Sequence, residues 1–80
     1  MEEMEIAEVV GYCFEELQKK FPETEFIYDQ ICEDTEKYIF EKIPHDNIDE
    51  YNQVVYLKNN EEIQELKKNI FKKIAKSYNL

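Results

Sequence analysis

The first apolar pattern of the chain repeats every three or four positions between Met4 and Phe21. Its members are Ile6, Val9, Val10, Cys13, Phe14, Leu17 and Phe21. This spacing is typical of an amphipathic helix, so we predict a first helix over residues 4–21. The helix should end at Phe21, because the residue before a proline is sterically disfavoured in helical geometry. Gly11, inside it, costs about 1 kcal/mol relative to alanine and indicates either close packing or no special role.

A second apolar pattern runs as far as Ile43. Its members are Ile27, Tyr28, Ile31, Cys32, Thr35, Tyr38, Ile39 and Ile43. We predict a helix that begins at Pro22 or Thr24, since proline suits a first turn and threonine can cap it. The helix should stop at Pro44.

The segment after Pro44 has two interpretations. Residues 44–47 form a predicted loop, and Asp46 or Asn47 can cap a short third helix over residues 48–55. Residues 54–57, with the sequence Val-Val-Tyr-Leu, also suit a short strand or extended segment, because β-branched and aromatic residues favour strands. The sequence leaves this third element open.

A last helix follows Asn59. Asn59 and Glu62 form a variant of the capping box, in which asparagine replaces serine or threonine. The apolar stripe of this helix comprises Ile63, Leu66, Ile70, Phe71, Ile74 and Tyr78. Because each stripe must be buried against another, the sequence predicts a single acidic helical domain over residues 1–80. Its fold class is all-α, as a small antiparallel three- or four-helix bundle or a compact helical array.

The charge of the chain narrows its possible partners. The 80 residues carry a net charge of −9 and no arginine. Residues 1–50 hold 16 acids and 4 lysines, a net charge of −12, whereas residues 51–80 hold 3 acids and 6 lysines, a net charge of +3. An acidic surface repels nucleic acids and anionic membranes, so we expect neither as a direct partner and predict a basic protein instead. An acidic start without an apolar stretch predicts a cytoplasmic protein with reduced cysteines.

The usual catalytic and metal-binding motifs are missing from the sequence. His45 is the only histidine, and Cys13 and Cys32 lie far apart, so the sequence predicts no metal site. One glycine cannot build a phosphate-binding loop, and we predict no cofactor. A chain of this size also has little room for an enclosed substrate pocket. We therefore expect a protein that is not an enzyme, with Cys13 and Cys32 as buried structural thiols.

The candidate binding residues lie opposite the apolar stripes. They are Glu8, Tyr12 and Glu15 on the first helix and Asp29, Glu33, Glu36 and Phe40 on the second. Aromatic side chains among carboxylates are typical of protein interfaces, where the aromatic ring anchors and the charges steer the partner. The alternative is that Phe40, and Phe26 nearby, belong to the core; for Tyr12 the two interpretations are balanced.

These features favour a non-enzymatic module that binds a basic protein, such as a nuclease or another nucleic-acid-binding protein, as an inhibitor. Immunity proteins, antitoxins and phage anti-defence proteins that imitate DNA are analogous in charge, size and helix content. The alternative is a helical structural or regulatory subunit that self-associates into homo-oligomers.

Overall fold

A computed structural model describes all 80 residues and contains three α-helices and one three-stranded antiparallel sheet. In chain order the elements are β1 (Glu2–Glu5), α1 (Ile6–Lys20), α2 (Tyr28–Lys42), β2 (Ile48–Asp49), β3 (Val54–Leu57) and α3 (Asn60–Ser77), with a 3₁₀ turn at His45–Asn47. The prediction of an all-α bundle is therefore wrong, and the fold mixes helices with a sheet.

The sheet has the order β1-β3-β2, so β3 is its central strand. Met4 lies opposite Val55, and both are buried, whereas Glu3 and Glu5 alternate with Met4 and are exposed. The backbone N–H of Ile6 donates to the carbonyl of Gln53 at 2.9 Å, which continues the pairing to the start of α1. The first helix therefore starts at Ile6, and the predicted start at Met4 is wrong because Met4 belongs to the sheet.

A β-hairpin occupies the segment whose structure the sequence left open. The short helix predicted over residues 48–55 is wrong, and the strand interpretation of Val54–Leu57 is confirmed. Asp49 accepts hydrogen bonds from the backbone N–H (3.1 Å) and the side-chain Nδ2 (2.8 Å) of Asn52, and these bonds lower the pKa of Asp49. Gln53 completes the turn in the left-handed region, with a φ of 55°.

The ends of α1 and α2 and the start of α3 follow the local sequence signals. α1 ends at Lys20, just before Phe21-Pro22, and α2 ends at Lys42, before Pro44, as predicted. α2, however, begins at Tyr28 and not at Pro22 or Thr24, and no side chain caps its first turn. At α3, Asn59 Oδ1 accepts from the N–H of Glu62 at 3.0 Å, while a Glu62 carboxylate oxygen accepts from the N–H of Lys58 at 2.9 Å.

The core lies among the three helices, and the sheet packs against α1 and α3. Its sixteen buried apolar residues include Phe26, which is in edge-to-face contact with Tyr78 at a centroid distance of 5.1 Å. Phe26 is therefore a core residue. Thr35 is the one buried polar side chain. None of the helices combines the length and the apolar character needed to cross a bilayer.

Candidate protein-binding surface

The exposed side of α1 carries a shallow, open depression of about 530 Å³, which we call the Gly11 groove. Its lining residues are Glu8, Gly11, Tyr12, Phe14 and Glu15 of α1, Tyr28 of α2 and Lys67 of α3. A Cβ atom on Gly11 would meet nothing within 4 Å beyond its own helix backbone and chain neighbours. Gly11 therefore does not serve close packing, and the absence of a side chain leaves the floor of the groove open.

At one end of the groove, Tyr12 contacts a lysine from α3. The ammonium of Lys67 lies 5.5 Å from the centroid of the Tyr12 ring and 3.7 Å from a carboxylate oxygen of Glu8. The lysine side chain is only 14% exposed, whereas that of Glu8 is 59% exposed. Burial, followed by the charges of Glu16 and Cys13, raises the pKa of Tyr12, so its phenol stays neutral.

The opposite end of the groove is formed by an aromatic pair between α1 and α2. The rings of Phe14 and Tyr28 meet edge to face at a centroid distance of 5.3 Å and an interplanar angle of 76°. Tyr28 is nevertheless 49% exposed, and the preceding Ile27 is 64% exposed. Both residues belong to the apolar pattern of the predicted second helix, and neither was predicted to bind a partner. Their place at the very start of α2, next to the connection between the helices, is the signal that could have identified them.

The predicted residues of α2 form a second group, the α2 acidic stripe, defined by Asp29, Glu33 and Glu36. The thiol of Cys32 donates to a Glu36 carboxylate oxygen at 3.7 Å. Burial is the main cause of the raised pKa of Cys32, and the charges of Glu36, Asp29 and Glu33 add to it. Glu36 thus contacts the half-buried thiol directly, and Asp29 and Glu33 lie within one helical turn of Cys32 on α2. The stripe begins directly after Tyr28, so it adjoins the Gly11 groove.

Phe40 continues the α2 acidic stripe by one helical turn. It is half-buried but lies outside the core cluster of the protein and outside the set of aromatic residues packed against that cluster. The sequence had left open whether Phe40 is a core residue, and the structure does not place it in the core. Tyr12, in contrast, packs against the edge of the core while it also lines the groove.

The remaining polar chemistry is sparse. Cys13 is fully buried, and burial raises its pKa to about 12, while Cys32 is only half-buried; the two thiols are not bonded to each other. No group of three His, Cys, Asp or Glu side chains is placed to hold a metal ion. Lys67 and Glu8 form the only ion pair of the protein, so no other acidic side chain has a lysine ammonium within 4.0 Å.

Comparison with models of protein families, with curated protein sequences and with solved structures found no match. A proposal for the function therefore depends on the geometry and the charge described above.

Proposed function

We propose that this chain is a non-enzymatic protein-binding module that docks its α1–α2 surface on a basic, nucleic-acid-facing surface of a partner and thereby inhibits it. The observation that carries the proposal is the lack of internal neutralisation. Of 19 acidic side chains, only Glu8 has a lysine within ion-pair distance. Unpaired carboxylates on a folded surface attract a cationic partner and raise its rate of association.

The aromatic residues of the Gly11 groove favour binding of a protein over non-specific association with counter-ions. Tyr28 offers a half-exposed ring that Phe14 holds in place, and the carboxylates of Glu15 and Asp29 are exposed near it. A ring held in a fixed position loses little conformational freedom when a partner covers it. Interface hot spots combine such rings with charged residues at their margin.

The partner class can be tested by capture followed by competition. The immobilised chain is exposed to cell lysate at low salt, and proteins released by high salt are identified by mass spectrometry. A released nucleic-acid-binding protein is then purified, and its binding to fluorescent duplex DNA is followed by anisotropy. We expect the chain to displace the DNA in proportion to its concentration, because both ligands occupy the same basic surface.

Two pairs of substitutions with the same change in charge locate the surface. Glu33→Lys with Glu36→Lys reverses the α2 acidic stripe and should abolish the displacement. Glu61→Lys with Glu65→Lys makes the same change on α3 and should leave it intact. Equal displacement by both double variants, or simultaneous binding of DNA and chain, would contradict the proposal. Self-association that is insensitive to salt, with no salt-released partner, would instead favour the self-associating regulatory subunit.

A further inference from the structure

The two ends of the Gly11 groove offer similar chemistry, but only one end contains a cation. At one end, Lys67 approaches both the Tyr12 ring and the Glu8 carboxylate. At the other end, the Tyr28 ring and the Glu15 carboxylate line the same depression, and no lysine of the chain pairs with Glu15. The groove therefore presents one filled and one vacant position for a positive charge.

Lys67 shows what kind of group the groove accepts. Its side chain is largely buried, so the apolar stem is covered while the ammonium reaches a ring and a carboxylate. A cation near a ring is attracted by the negative charge on the face of the π-system, and a carboxylate within 4 Å adds a Coulomb attraction. The vacant end presents the same two kinds of group, an aromatic ring and a carboxylate, in the lining of the same depression.

The vacant end fits arginine better than lysine. The Tyr28 ring is held against Phe14 and half-exposed, so it provides a fixed surface on which a planar guanidinium can stack. Glu15 is exposed and has no hydrogen bond or ion pair within the protein, which leaves both of its oxygens free to accept two parallel N–H bonds. Asp29, next to Tyr28 in the chain, contributes a second unpaired carboxylate.

We infer that the Glu15–Tyr28 end of the Gly11 groove is a binding site for an arginine side chain of the protein partner, with Lys67 as a permanent internal occupant of the opposite end. This inference rests on the proposed function and adds the identity of the side chain that the surface recognises. The absence of a side chain at Gly11 is part of the site, because it keeps the path between the two ends open.

A titration of the ¹⁵N-labelled full chain with the peptide acetyl-Ala-Arg-Ala-amide tests the inference by NMR. At constant ionic strength, we expect saturable shifts of the amide signals of Gly11, Glu15 and Tyr28. The peptide with citrulline in place of arginine has the same shape without the charge and should cause no such shifts. Glu15→Gln should weaken binding by up to about fivefold, the upper end of the range for an exposed ion pair. Glu50→Gln removes the same charge in the hairpin turn and should change the affinity less than twofold.

The outcomes separate this inference from the proposed function. Shifts confined to the α2 acidic stripe, or equal effects of Glu15→Gln and Glu50→Gln, would overturn the arginine site and leave the basic-partner proposal standing. The same holds if the peptide causes no shifts although a captured protein still competes with DNA. If neither the peptide nor any basic protein binds, both proposals are wrong. In Lys67→Met, a second set of saturable shifts around Glu8 and Tyr12 would support the equivalence of the two ends.

Discussion

Thr35 has a hydroxyl group that is fully buried and has no hydrogen-bond partner. An unsatisfied buried polar group costs free energy, so Thr35→Val should raise the free energy of unfolding by about 1 kcal/mol while it preserves the shape of the side chain. Urea denaturation measures the change. Thr24→Val, in the connection between α1 and α2, is the control and should stay within about 0.5 kcal/mol of wild type. A loss of stability in Thr35→Val would mean that the hydroxyl does find an acceptor.

A substitution at Gly11 should change the stability of α1 and the proposed binding of arginine in opposite directions. Gly11→Ala should stabilise the protein by about 1 kcal/mol, because alanine favours the helix and its Cβ meets no neighbouring element. The same methyl group narrows the Gly11 groove, so the arginine peptide should bind more weakly. Ala7→Gly is the opposite change at an exposed position in the first turn of α1 and should lower stability by less than about 1 kcal/mol without weakening binding of the peptide. Unchanged peptide affinity in Gly11→Ala would show that the groove floor takes no part in binding.

The two cysteines should differ in reactivity because their surroundings differ. Burial raises the pKa of Cys13 to about 12, so almost no thiolate exists at pH 8. The pKa of Cys32 is raised as well, first by burial and then by Glu36, but this thiol is only half-buried. We expect one thiol per native chain to react with a disulfide reagent at pH 8, at a rate that increases with pH, and the second only in denaturant.

Substitution identifies the reacting thiol. Cys32→Ser should leave a native protein without a reactive thiol, whereas Cys13→Ser should retain the rate of the wild-type protein. Two thiols that react at the same rate in the native chain would indicate that α1 opens far more readily than its burial implies.

At the scale of elements, β1 is the least expected part of the fold, and its contribution can be measured at one residue. Met4 is 2% exposed and lies opposite Val55 of the central strand. Met4→Ala should therefore lower the free energy of unfolding by roughly 2–5 kcal/mol through lost burial and the cavity left behind. Met1→Ala, at a residue that is 86% exposed, should have little effect in the same thermal or urea unfolding experiment. Equal stability of the two variants would contradict the pairing of β1 with β3.

The long helices were predictable because their stripes extend over four or five turns, and proline or an asparagine cap marks three of their six ends. β1 gave no such signal, since three of its four residues are glutamates, which are depleted in strands. Its structure comes from pairing with Val54–Leu57, about fifty positions away in the chain. Met4 and Ile6 are two positions apart, which fits the alternation of a strand, but Ile6 also fits the helical spacing that follows. Local periodicity could not separate these interpretations.

For the candidate site, too, the sequence predicted the residues that lie on one helix but not those that other helices contribute. Glu8, Tyr12 and Glu15 line one groove, as their helical spacing suggests, and Glu36 of the α2 acidic stripe accepts a hydrogen bond from Cys32. Lys67 and Tyr28 reach the groove from other helices, so only the packing of α1 against α2 and α3 shows them. Phe40 lies outside the core because of how the other helices pack against α2. The apolar pattern of α2 alone does not show which of its sides they cover.

At the scale of the whole molecule, the charge distribution opposes folding. Sixteen of the 19 acids lie within residues 1–50 with only 4 lysines, and only one acid of the protein forms a direct ion pair. Within α2, Asp29 and Glu33 are four residues apart and Glu33 and Glu36 are three apart, and each such like-charge pair destabilises a helix by about 0.2–0.5 kcal/mol. A surface of this kind is understandable where binding to a cationic partner outweighs the lost stability.

This balance predicts how stability depends on salt. Because salt screens repulsion between exposed charges, the midpoint of thermal unfolding should rise between 20 mM and 300 mM NaCl. If several repulsive pairs together amount to roughly 1 kcal/mol, the rise is about 4–8 °C for a domain of this size. The variant Glu33→Gln with Glu36→Gln removes both like-charge pairs of α2, so it should start from a higher midpoint at low salt and gain less from added salt, even though it should displace DNA from the partner less well. If the variant loses both its stability and its ability to displace DNA, the α2 acidic stripe supports the fold. If its midpoint depends on salt as strongly as that of wild type, this stripe is not the main source of repulsion.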